Sequence, residues 1–109
     1  MANKDTDSLA DLGRFSEPAL LILISLAEGP KHGYAMTQDI ESVSGQKLGP
    51  GTLYGAIARL EARKWIEPLP AEDRRRPYKL TGAGQRVLRA RLEGLRAMAR
   101  VGRARLAEG

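Results

Sequence analysis

The chain is 109 residues long, which is one ordinary domain, and at 42% hydrophobic with few aromatic residues it builds a small, mainly aliphatic core. It has no cysteine, so disulfides, thiolate nucleophiles and cysteine-bound metal sites are excluded. The net charge of +5 is uneven: residues 1–44 carry −4, residues 45–80 carry +4 and residues 81–109 carry +5. Basicity in the middle and at the end favours a polyanionic partner.

Residues 1–14 are polar and lack a sustained period, which predicts a flexible N-terminal arm. A helix is expected over Glu17 to Glu28, with Ser16 as its N-cap and Pro18 in the first turn. Ala19 to Leu26 are apolar on nearly every side, so this helix is buried from several directions. In so short a chain part of that surface, including Leu20 and Leu23, is expected to meet a second subunit. The apolar run is about half the ~20 residues a membrane span needs. No signal-peptide pattern precedes it, so a cytoplasmic protein is expected.

A second helix is expected from Pro30 or His32 to Ser44, stopped by Gly45. Met36, Ile40 and Val43 form its inner stripe, and Tyr34 points away from them. The third helix follows a glycine-containing loop, a helix-turn-helix signal that is weak by itself. Its apolar stripe is Leu53, Ile57 and Leu60. The opposite face, Gly51, Thr52, Gly55, Ala58, Arg59 and Ala62, is small and nearly flat, with Tyr54 beside it. Surface helices usually carry long charged side chains there. Small ones suit a helix that lies in a DNA groove.

After Trp65 the period changes to alternation. Residues 65–69 and 78–80 read as two strands joined by a long polar tip that contains Arg74, Arg75 and Arg76. Trp65 is placed to lean this hairpin on the helices. Thr81 can cap a last helix, and Gly82 and Gly84 weaken its first turn but permit close approach there. Leu88, Leu92, Leu95, Ala99, Gly102 and Leu106 then follow at alternating spacings of four and three, a heptad seam. Arg89, Arg91, Arg96, Arg100, Arg103 and Arg105 lie off it. A helix this long exceeds what so small a domain covers, so the same helix of a second copy is the expected partner.

The fold class is therefore mainly α with a small β-hairpin: a winged helix-turn-helix plus a C-terminal dimerisation helix. The expected division is an arm at 1–14, a DNA-binding domain at 15–81 and a dimerisation helix at 82–109. Lys31, His32, Tyr34 and Lys47 are candidate phosphate contacts. Gly51, Thr52, Tyr54 and Arg59 are candidates at the bases or adjacent phosphates. Arg74, Arg75, Arg76 and Lys79 would place the wing along the backbone or minor groove. His32 is the only histidine, and no nucleophile–base pair, phosphate-cradling loop or metal constellation is present. No enzyme activity, cofactor or metal is expected.

LLILISLAEGPKHG at 20–33, Tyr34, GTLY at 51–54, Arg59-Leu60-Glu61 and RRPYKLT at 75–81 together resemble the PadR family of bacterial transcriptional regulators. The resemblance spans residues 17 to 106 and looks like the subgroup with a compact C-terminal domain. It implies a homodimeric repressor on a palindromic operator. In many relatives a small aromatic or drug-like effector releases the DNA. The last helix here has no aromatic residue, unlike relatives that stack a drug on a tryptophan. The competing reading is a dimeric ligand-binding or protein-interaction module on the same fold, with little DNA affinity. RNA binding would want exposed aromatics, of which the chain has few.

Overall fold

The computed structural model describes residues 8–109, so the first seven residues of the expected arm lie outside it. The remainder of that arm is folded. Leu9–Phe15 forms a short 3-10 helix kinked at Gly13, and Leu9 is wholly buried in the core. Leu9 and Leu12 stand three apart in an otherwise largely polar stretch, too short a repeat to establish a helical period, which is why the segment reads as an arm.

Four α-helices and one hairpin follow: α1 Ser16–Ala27, α2 Gly33–Ser44, α3 Pro50–Ala62, β1 Ile66–Pro68, β2 Tyr78–Leu80 and α4 Gly82–Glu108. α1 is the central helix. Its Ala19, Ile22, Leu23 and Leu26 are buried among Met36 and Ile40 of α2, Leu53, Ile57 and Leu60 of α3, and Leu88 of α4. Burial at roughly 25 cal/mol per Å² of apolar surface is the main force holding these layers together. Leu23 is thus internal to the protomer and does not serve the subunit contact expected of it, whereas Leu20 is only half-buried.

α2 starts on His32, whose Nδ1 accepts weakly from the Ala35 amide at 3.4 Å, and ends on Gly45 in the left-handed conformation. Val43 departs from the expected inner stripe: it is 63% exposed, because the core ends at Ile40. α3 ends in a tight hydrogen-bonded turn. The Trp65 amide donates to the Leu60 carbonyl at 3.0 Å while Lys64 sits at φ 62°. Left-handed backbone costs a residue with a Cβ roughly 1 kcal/mol. Lys64→Gly is therefore expected to raise stability by about 1 kcal/mol, read as a higher urea midpoint. A lower midpoint would show that the lysine side chain contributes more than the strain removes.

β1 and β2 pair antiparallel, with Ile66 opposite Leu80 and Pro68 opposite Tyr78. The sheet gains a third short edge that the sequence pattern did not show. Lys31 and Tyr78 exchange both backbone hydrogen bonds, at 3.1 and 3.0 Å, tying the start of α2 to the wing. A one-residue bridge is too short to leave a period-2 signal. Trp65 is 4% exposed and fastens the hairpin to the helices as expected. α4 rests on the body only through its first turns. Beyond Leu95 it projects into solvent, leaving Met98 59% and Leu106 82% exposed.

Candidate nucleic-acid interface

The helix-turn-helix geometry follows from burial on one side of α3. Leu53, Ala56, Ile57 and Leu60 face the core, so at 100° per residue the small-residue side must face outward. Gly51, Thr52, Ala58 and Ala62 are exposed, and Gly55 and Arg59 are half-buried. Gly49 precedes α3 without a side-chain cap, and Pro50 occupies its first turn. The lean face expected from sequence is therefore a real surface of the protomer. Arg59 is folded back along the helix: a Cβ on Gly55 would lie 3.0 Å from its Nη1.

Tyr54 is 55% exposed, but its ring lies against the first residue of α2. A Cβ on Gly33 would overlap the Tyr54 hydroxyl and come within 3.0 Å of Cζ. A larger residue at 33 would therefore push the Tyr54 ring off α2. Tyr54 braces the two helices and presents only part of its ring outward. Tyr34 is 63% exposed at the start of α2, and its hydroxyl accepts from Gln38 at 3.2 Å. Lys47 is exposed in the loop between α2 and α3.

Lys31 departs from the expected phosphate role. Its ammonium pairs with Glu28 at 2.9 Å and Asp39 at 3.8 Å, and donates to the Ser25 carbonyl. The side chain is 14% exposed. Its backbone is held by Tyr78, which directs the side chain inward, and a cation so placed needs carboxylates to offset its lost hydration. It is a tie between α1, α2 and the wing. His32 lies at the junction too, with its Nε2 3.4 Å from Nη1 of Arg75.

The wing tip is more ordered than the long polar loop expected. The Leu69 amide donates to the Pro77 carbonyl at 2.8 Å, and Glu72 and Arg75 exchange backbone bonds at 2.7 and 2.8 Å. Asp73 and Arg74 occupy the two turn positions at φ 49° and 66°, a type I′ geometry that normally selects Asn-Gly. Without that dipeptide the tight turn was not legible. The turn holds Arg74, Arg75 and Arg76 in solvent at the end of the hairpin, although Arg76 also donates to the Leu69 carbonyl at 2.8 Å. Lys79 pairs with its cross-strand neighbour Glu67 at 3.2 Å, which neutralises part of its charge. At the wing base, burial pushes the Tyr78 phenol above its ordinary value, and Glu61 adds to the rise. Tyr78 therefore stays neutral at physiological pH. The expected seam on α4 divides: Leu88 belongs to the core, Leu95 is half-buried, and Leu92, Ala99, Gly102 and Leu106 are exposed.

Among the described residues no helix is long and apolar enough to cross a membrane. The model of the transcriptional regulator PadR-like family matches residues 22–90. An uncharacterized 37.1 kDa protein in transposon TN4556 of Streptomyces fradiae is 52% identical over 75 residues, 69% of this chain; the chain spans only 22% of that protein's length. Among solved structures, a transcriptional regulator from Clostridium thermocellum superposes with a TM-score of 0.72 at 28% identity, covering 87% of this chain and 94% of that one. A PadR family transcription regulator from Clostridium difficile R20291 gives a TM-score of 0.74 at 24% identity, covering 82% and 97% respectively, and so shares the fold. With a three-helix core, a paired wing and an outward small-residue face on α3 all in place, the chain belongs to the PadR-like family of transcriptional regulators, a family of DNA-binding regulators and not of enzymes.

Proposed function

We propose that this protein is a sequence-specific, cytoplasmic DNA-binding repressor that acts as a homodimer on a palindromic operator. The observation that carries this reading is the exposed, small-residue face of α3, in a protomer whose wing tip also holds Arg74, Arg75 and Arg76 in solvent. Each α3 enters a major groove, the two copies roughly one helical turn, ~34 Å, apart. Thr52 and Arg59 contact bases or the adjacent phosphates. Gly51, Gly55 and Ala58 let the helix approach, and Tyr54 sets its angle. Tyr34, His32 and Lys47 hold phosphates, and Arg74 and Arg75 place the wing against the backbone. Lys79 lies further from the tip and plays a smaller part. Residues 15–81 act as the DNA-binding unit and 82–109 as the dimerisation element, through the exposed residues of α4.

Footprinting on the DNA upstream of its own gene tests this directly. Two protected half-sites are expected, and protection that disappears on adding a small aromatic compound would identify an effector of the kind the family resemblance implies. No protection at low salt would end the reading. Replacing Arg74, Arg75 and Arg76 together by alanine is expected to flatten the salt dependence of binding, by up to ~0.9 in log–log slope for each phosphate that the wing no longer neutralises. An unchanged slope would remove the wing from the interface.

A further inference from the structure

Residues 31 and 32 stand where α1, α2 and the wing meet, and each is held from two sides. The backbone of Lys31 exchanges two hydrogen bonds with Tyr78 of β2, at 3.1 and 3.0 Å. Its ammonium reaches the other way, to Glu28 at 2.9 Å, to Asp39 at 3.8 Å and to the Ser25 carbonyl. Ser25 lies in the last turn of α1, Glu28 just past its end, and Asp39 in the middle of α2. His32 follows, with its Nδ1 on the Ala35 amide and its Nε2 3.4 Å from Nη1 of Arg75. One dipeptide thus joins two helices to a wing strand and to a wing arginine.

The wing needs such a fixture. Its strands are short, and an isolated hairpin is marginal in water. Tyr78 is half-buried against the core, and burial, with Glu61 of α3 adding to it, raises its phenol. The Lys31 bridge therefore grips β2 at the residue that also lies beside α3. Backbone hydrogen bonds contribute little net, so two of them hold a strand only if the residue on the other side is itself fixed. The Lys31 side chain does the fixing, at 14% exposure. A lysine so confined loses rotamer freedom and hydration, which a solvated surface cation keeps. We propose that Lys31 is a positioning residue for DNA binding: it sets the angle of the wing to α3, so that Arg74 and Arg75 meet the backbone while α3 is seated, and makes no phosphate contact itself. This rests on the wing contact in the proposed function and assigns what holds the wing in place.

A double-mutant cycle tests it. Lys31→Met keeps a long apolar stem and removes the ion pairs. Arg74→Ala with Arg75→Ala removes wing cations and leaves the Arg76 bond to the Leu69 carbonyl in place. Operator affinity is read by fluorescence anisotropy at one salt concentration, and urea midpoints confirm that each variant is folded. Lys31→Met is expected to weaken binding about fivefold in the wild-type background and less than about twofold in the wing variant. A lost phosphate contact, or a change of overall charge, would act equally in both. The tie can also be cut at its acid end, which carries the test if Lys31→Met does not fold. Glu28→Gln with Asp39→Asn leaves the Lys31 cation in place and is expected to give a difference of at least about threefold between the two backgrounds. Equal effects in the two backgrounds, for either variant, would overturn the proposal while leaving the wing on DNA. A wing variant that binds the operator as tightly as wild type would overturn the wing contact itself, and this proposal with it.

Discussion

Gly84→Ala is expected to lower stability by about 3 kcal/mol, at the upper end of what forced overpacking costs. Gly84 is buried in the first turn of α4, where an added Cβ would overlap the Trp65 carbonyl oxygen and lie 2.9 Å from its carbon. Neither side can yield cheaply. The Trp65 carbonyl already accepts from the Thr81 amide at 3.1 Å. The Thr81 hydroxyl caps α4 through the Gly84 amide at 3.0 Å and donates to the Lys64 carbonyl at 2.6 Å. One corner thus locks the end of α3, the wing and the start of α4. Against a total stability of roughly 5–15 kcal/mol, such a loss would leave a fraction of chains unfolded near body temperature. Gly82→Ala is the matched control. Its Cβ would meet only the Arg86 guanidinium, at an ordinary 3.6 Å. It should stabilise by roughly 0.5–1 kcal/mol through lower backbone entropy. Urea midpoints at one fixed protein concentration compare them. Equal midpoints would show that α4 does not seat against Trp65 in this way.

Ala58→Glu is expected to weaken operator binding about 100-fold, near 3 kcal/mol, by placing a carboxylate against phosphates and base edges. Ala58 is exposed at the middle of the lean face of α3. Glutamate is a good helix former and nothing in the protomer crowds the position, so folding stability should change by no more than about 0.5 kcal/mol. Fluorescence anisotropy on the protected fragment reads the first quantity, and thermal unfolding reads the second. Binding kept within about threefold of wild type would mean this face does not enter the groove. A matching loss of stability would instead show that Ala58 is packed in the folded protein.

How far the sequence carried varies by element. α1, α3 and the end of α2 were legible because their signals are local: uninterrupted apolar residues, a stripe at helical spacing, and Gly45 as a stop. The Thr81 cap and the leaning role of Trp65 were legible for the same reason. Val43 misled, because it continues the helical period of Met36 and Ile40 past the point where the core ends. The wing tip misled in the other direction, since Asp73 and Arg74 adopt a turn that their residue types do not advertise. Lys31 looked like any surface cation beside a helix start. Only the fold brings Glu28 and Asp39 within its reach.

Residue order alone settled which faces are apolar, where the helices stop, and that α3 has a side too lean for ordinary solvent, because these depend on neighbours within a few positions. The fold decided which charges are paired internally and which reach solvent, which leucines of α1 are shut inside, and that Leu9 belongs to the core. Those outcomes depend on groups far apart in the chain meeting in a dense interior. There a single backbone bridge, such as Lys31 to Tyr78, redirects a whole side chain.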